Sequence, residues 1–230
     1  MNEKLDAPEI KRDSRMRKWL DNYWYHYKWH TLIIGFFVLC LIVCLAQCSR
    51  KEEKDIGVAI ACNLTLSKAE SKALEDALSE AVEADYDKNG LKQATTVLHS
   101  IFSEEQLKEI YTLSDPVTGE TTFDNAGYQT AKQYNAERID NLQTYIMTGD
   151  SAVWFVSPYV YETMVKDKLP VVKTVKLGQT DFYRYYDALK VLPEDTVMVL
   201  IRPIMGYMAK DENYQKAEAF FIAVETFRMP

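Results

Sequence analysis

Leu32 to Ala46, LIIGFFVLCLIVCLA, is fifteen residues long without a charge, and it constrains the chain more than any other stretch. At about 1.5 Å per residue, the slightly longer segment Thr31 to Cys48 covers roughly 27 Å, close to the hydrocarbon thickness of a bilayer. Eleven of the fifteen are Leu, Ile, Val or Phe. Insertion is then favoured by about 3 to 7 kcal/mol with no buried charge opposing it. A single transmembrane helix over 31–48 is expected, dividing the chain into a head (1–30), a stalk (49–54) and a domain (55–230).

The formal charge of −7 falls unevenly on the two sides, with +2 on residues 1–30 and −9 on the remainder. An acidic domain repels phosphate backbones, which argues against nucleic acid as a partner. Mean hydropathy is below zero despite the span, which excludes a polytopic protein. Of four cysteines, Cys40, Cys44 and Cys48 lie in or beside the span and Cys62 alone lies beyond it, so the domain has no pair for a disulfide framework. Cys62 closes an apolar run, where a cysteine usually packs as a small hydrophobe.

Between Trp19 and His30, six of twelve residues are Trp or Tyr. Rings with an apolar body and a polar tip settle at the headgroup layer, so Trp19, Trp24 and Trp29 are the expected membrane-interface residues. Basic residues near the span favour its N-terminal flank by six to four, which predicts a cytoplasmic N-terminus and an extracytoplasmic domain at the cell membrane. Thirty residues before the apolar run exceed a normal signal-peptide n-region, and no small-x-small site follows, so the anchor reads as uncleaved. Leu45-Ala46-Gln47-Cys48 has the outline of a lipoprotein signal, with Gln47 where such signals carry a small residue. The i, i+4, i+8 spacing of Cys40, Cys44 and Cys48 puts them on one helix face, turned either to lipid or to a second span. The expected partners are the bilayer, a small solute or an envelope protein, and a second copy through the span. His26 and His30, also at i, i+4, have no accompanying ligand set and belong to the aromatic belt.

From Asp55 on, short β-rich runs alternate with amphipathic stretches. Strands are expected at Ile56–Cys62, Ala94–Phe102, Ser151–Ser157 and Thr196–Pro203, with Val171–Leu177 as a further candidate. Helices are expected from Ser67 to about Tyr86 and from Ser103, each opened by a capping-box pair. Others run from about Asp124 to Met147, with Ala131, Tyr134, Ile139, Leu142 and Ile146 inward and Gly149 as the stop, and from Asn213 to about Arg228. A helix opened by Pro158 and a Tyr-rich stretch at Phe182–Leu192 complete the set. Strands separated by helices predict an α/β fold, a three-layer, mostly parallel sheet with flanking helices.

At the carboxyl edge of such a sheet, where ligands usually sit, Asn63, Ser157, Tyr159 and Arg202 are the expected ligand-binding residues. Arg202 would suit an anion there, and an ion pair with one of the domain's acids is its plainer use. Asp85-Tyr86-Asp87-Lys88-Asn89-Gly90 begins like a calcium loop, but its twelfth position is Thr96 rather than Glu, so a turn is the better reading and no metal is expected. Asn63-Leu64-Thr65 is a glycosylation sequon. No Gly-rich phosphate loop, G-x-S-x-G, H-E-x-x-H or C-x-x-C occurs, and no residues pair a nucleophile with a base, so a non-catalytic protein without cofactor is expected.

Asp55-Ile56 opening an apolar strand, a capped helix, a strand after Asp85-x-Asp87-x-Asn89-Gly90, and Asn141 to Gly149-Asp150 running into a hydrophobic strand together resemble one lobe of an extracytoplasmic solute-binding protein serving ABC importers. The resemblance covers roughly residues 55 to 205. In that family a helix ending in Gly-Asp commonly precedes a strand at the binding cleft. The family usually carries two lobes where this chain has length for one, and a lipid anchor or secreted N-terminus where this chain has a span. The resemblance therefore implies a reduced, membrane-held domain that binds a small solute or a protein partner. An envelope assembly or signalling component, with a cytoplasmic contact through residues 1–30, is the alternative.

Overall fold

The computed structural model describes residues 15–49, 55–116 and 118–229. The first fourteen residues of the head, stalk residues 50–54 and the Cys48 side chain lie outside what is described, so the lipoprotein-signal reading of Cys48 falls there too. The chain divides after Glu52 into two compact units.

The first unit is the helix α1, Arg15–Ser49. It contains no proline, and the aromatic belt and the apolar run form one uninterrupted helix. Trp19 and Tyr23, then Tyr23 and Tyr27, stack at 5.6 and 5.4 Å between ring centroids, as i, i+4 neighbours on one face do. The Tyr23 and Thr31 hydroxyls lie 3.0 Å apart. The stretch Asn22–Cys44 is long and apolar enough to cross a membrane, and it is the one such helix among the described residues. Its apolar side chains are exposed all round, and so are Trp19, Trp24 and Trp29.

The second unit is a mixed α/β domain around a five-stranded sheet. Its elements are β1 (Ile56–Cys62), α2 (Lys68–Ser79), β2 (Ala94–Ser100), α3 (Glu104–Ile110), β3 (Thr112–Ser114), β4 (Thr121–Phe123), α4 (Asn125–Thr148), β5 (Val153–Val156), α5 (Pro158–Val160), β6 (Val171–Lys176), α6 (Asp181–Tyr185), β7 (Val197–Ile201) and α7 (Asp211–Thr226). A π-helical turn, Tyr161–Val165, continues α5. The strand order is β2-β1-β5-β7-β6. Strands β2, β1, β5 and β6 share one direction, while β7 runs antiparallel to both its neighbours, with Val156 opposite Val197 and Lys176 opposite Val197.

Both faces of the sheet are apolar, which is why β1, β5 and β7 read as continuous runs instead of alternating with polar residues. Val58, Ile60 and Cys62 join one cluster, with Leu74 and Leu78 of α2, Phe182 of α6 and Phe220, Phe221 and Val224 of α7. Ala59 and Ala61, on the opposite face of β1, join a second cluster with Trp154, Leu142 of α4, and Val160 and Val165 around the π turn. Alanine at 59 and 61 leaves room for the Trp154 indole, whose Nε1 donates to the Ser151 carbonyl at 3.1 Å.

Local chemistry sets the element ends. Both expected capping boxes form: Ser67 with Glu70, and Ser103 with Gln106. Helix α2 stops well short of Tyr86, because the N–H groups of Ala81 and Val82 turn to carbonyls three residues back and tighten the last turn. Asp124 caps α4, and Gly149 ends it in the left-handed region at φ 62°. Strands β3 and β4, which the sequence does not announce, pair as an antiparallel hairpin, Thr112 opposite Phe123. Tyr134, expected inward on α4, is exposed, and the buried stripe runs Tyr128, Asn135, Leu142. The Asp85–Gly90 segment is a turn: Asp85 accepts from the N–H groups of Asn89 and Gly90, and the buried Asp55 carboxylate accepts from those of Tyr86, Asp87 and Gln93.

Candidate functional site

The carboxyl ends of β1, β2, β5 and β6 gather at one edge of the sheet, joined there by the start of β7. After β1 the chain crosses to β2 on one side, and after β5 it departs toward β6 on the other, so the crevice between β1 and β5 is where the topology reverses. Two sequence-expected residues meet at this point. Ser157 follows β5 and donates its N–H to the Ala61 carbonyl at 2.9 Å, one residue before Cys62 and two before Asn63. The Ser157 hydroxyl accepts from the Val160 N–H and caps α5, so it is buried and already committed. Asn63 and Tyr159 are half-buried, and Tyr159 packs against the second cluster.

Arg202 is not with them. Because β7 is antiparallel, its C-terminal end lies at the opposite, amino edge, where the Arg202 N–H donates to the Pro170 carbonyl just before β6. Its guanidinium pairs with Asp211 and lies 4.2 Å from the Tyr214 ring centroid. The expectation of Arg202 at the carboxyl edge assumed a β7 parallel to its neighbours. The Gly149-Asp150 pair likewise sits at the amino end of β5, away from the crevice.

On either side of the crevice the carboxyl edge is hollowed. One cleft of about 460 Å³ is lined by Leu64, Thr65, Leu66, Leu98, His99, Ser100, Arg138 and Asn141. The other, about 500 Å³, lies beyond β5 among Pro158, Tyr161, Lys176, Gln179 and Asp195. The first combines a cation, polar groups and apolar walls. Arg138 Nη1 donates to the Ser100 carbonyl at 3.3 Å, which holds an otherwise exposed guanidinium at the cleft wall. The Ser100 hydroxyl donates to the Leu64 carbonyl at 2.6 Å and fixes the loop after β1. His99 lies against Tyr145, ring centroids 5.0 Å apart, and its buried Nε2 has no hydrogen-bond partner among the described residues. Burial holds the His99 pKa below its ordinary value, so the imidazole is neutral near pH 7.

The residues that shape this cleft escape a reading by motif. Arg138, Asn141 and Tyr145 run at i, i+3, i+7 along the border of the buried α4 stripe, and that spacing beside Asn135 and Leu142 is the one sequence signal that would have drawn them together. Beneath the crevice, burial pushes the Cys62 thiol up to about 12, partly offset by the neighbouring Thr196 hydroxyl, so Cys62 is no nucleophile. Carboxylate oxygens of Asp55, Asp85 and Asp87 lie within 4.8 Å of one another, but all three side chains organise the turn: Asp55 and Asp85 through the bonds given above, and Asp87 by accepting from the Asn89 N–H at 2.9 Å. A third hollow, about 200 Å³ and mostly apolar, opens at the amino edge beside Met147, Trp154, Leu169, Ile204 and Met205. Compared with known protein families, curated proteins and solved structures, the chain matches none of them.

Proposed function

We propose that this chain is a single-pass cell-membrane protein, N-terminus cytoplasmic, whose extracytoplasmic domain binds a small solute carrying an acidic group without transforming it. The observation that carries the reading is the cleft at the carboxyl edge, where the Arg138 guanidinium faces a half-apolar hollow of solute size beside the topological reversal. A fixed cation with adjoining hydroxyl and amide groups suits a carboxylate or phosphate, and Leu64, Leu66 and Leu98 supply apolar contact for the rest of the molecule. The reading takes the two apolar clusters as the inner faces of a three-layer domain, and it agrees with the resemblance to one lobe of a solute-binding protein. Because one lobe closes on nothing, weak and rapidly reversible binding is expected, as suits a domain that samples or hands on its ligand.

The test is a thermal-shift screen of the full chain in lipid nanodiscs against amino acids, organic acids, sugars and phosphate esters. A ligand that binds only the folded state raises the melting temperature with concentration. The expected result is a rise with acidic solutes that Arg138→Ala removes. No rise with any class counts against solute binding.

A further inference from the structure

At the amino edge of the domain, the loop after β7 carries large apolar side chains into solvent: Ile204 is 86% exposed and Met205 59%, with Met147 at the end of α4 67% exposed beside them. This loop is held in place. The Met205 carbonyl lies 1.9 Å from where a Cβ on Gly149 would stand, the Met208 N–H donates to the Gly149 carbonyl at 2.9 Å, and Gly206 adopts φ 89° to make the approach. Ordered apolar side chains standing this far into water, with a small apolar hollow behind them, mark a surface that is covered when the protein is at work.

The covalent chain indicates what covers it. Helix α1 runs to Ser49, and β1 begins at Ile56, so the covalent chain joins them by seven residue steps, at most about 25 Å. The entry of β1 lies at this same edge: the Asp150 carbonyl is 3.8 Å from a Cβ placed on Gly57, Ser151 Oγ donates to the Gly57 carbonyl at 2.8 Å, and Gly149 follows directly in the chain. Resting on the reading of α1 as a membrane span, we infer that Met147, Ile204 and Met205 dip into the outer leaflet of the bilayer that α1 crosses. The partner is lipid acyl chain at the interface, not a protein. With its amino edge on the membrane, the domain presents the carboxyl-edge cleft to the aqueous side, away from the lipid.

The test uses spin labels on the full chain reconstituted in phosphatidylcholine vesicles, with Cys40, Cys44 and Cys48 replaced by alanine and the buried Cys62 left in place. Single labels at Ile204→Cys, Met147→Cys, Lys68→Cys (first turn of α2, exposed at the carboxyl edge) and Val38→Cys (within α1) are compared for collision with oxygen, which concentrates in lipid, and with a water-soluble nickel chelate. Labels at 204 and 147 are expected to collide more with oxygen than with nickel, as at 38, and the label at 68 to show the reverse. If 204 and 147 are as open to nickel as 68 while 38 is in lipid, the docking is overturned and the anchor stands. If 204 and 147 are shielded from both reagents, a protein surface covers the patch and the inference is equally overturned. A label at 38 open to nickel removes the anchor and the inference together.

Discussion

Asn135 holds both backbone polar groups of Phe102: its Oδ1 accepts from the Phe102 N–H at 3.0 Å, and its Nδ2 donates to the Phe102 carbonyl at 2.9 Å. The pairing ties the middle of α4 to the chain just past β2, one helical turn before Arg138. Asn135 is buried on the stripe shared with Tyr128 and Leu142. Replacing it with Leu leaves two partly buried backbone groups without partners, at a cost of about 2 kcal/mol. Asn135→Asp keeps the acceptor and loses the donor, and is expected to fall between wild type and Asn135→Leu. Urea unfolding midpoints of the three proteins check the order.

Gly149 carries a similar burden at the other end of α4. Alanine there meets the Met205 carbonyl at 1.9 Å and must hold φ 62°, which costs about 1 to 2 kcal/mol for the backbone alone. Gly149→Ala is expected to lower the melting temperature and to loosen the 203–206 loop, visible as faster amide hydrogen exchange at Met208. Unchanged exchange at Met208 would show that the loop does not depend on this contact.

The Cys62 thiol, pushed up to about 12 by burial, stays protonated in the folded domain at pH 8 to 9. It is expected to resist alkylation until the protein is unfolded, as followed by mass spectrometry of the modified peptide. A raised folded pKa contributes stability that is complete below the ordinary thiol value near 9 and declines as pH rises from there toward 12. Cys62→Ala is therefore expected to flatten that part of the alkaline stability profile.

His99 shifts the other way. Burial lowers its pKa, so its contribution to stability is present above the ordinary histidine value and is lost as pH falls below it. In NMR titration the His99 ring signals are expected to move at lower pH than those of free histidine. A solute carboxylate bound beside it favours the protonated imidazole and draws that titration back upward. A titration at or above the free value in the ligand-free protein contradicts the burial.

Much of this organisation is legible in the chain where side-chain chemistry and backbone position coincide. Ser67 with Glu70, Ser103 with Gln106, Asp124 and Gly149 all end helices in the structure, because each answers a helix-end donor or acceptor with a group of its own. The runs at Ile56, Ser151 and Thr196 are strands because apolar residues on both faces meet apolar cover. The direction of β7 is not legible, since Val-Met-Val-Leu-Ile buries equally well either way up, and it is this direction that carries Arg202 to the wrong edge for a shared site. The β3–β4 hairpin escapes because three residues are too few to display a period of two. Spacing alone turns Tyr134 inward, yet the position beside it is filled by an asparagine whose partner is backbone, which no apolar pattern records.

The proposed function depends on α1 crossing the bilayer with the domain outside, and impermeant thiol labelling of intact cells measures that directly. Gln133 on α4 is exposed and polar, and with Cys40, Cys44 and Cys48 replaced by alanine and Cys62 buried, Gln133→Cys provides the one accessible thiol of the domain. A membrane-impermeant maleimide is expected to modify Gln133→Cys in intact cells as fully as in lysed ones. Modification only after lysis, or recovery of the chain in the soluble fraction, would contradict that crossing.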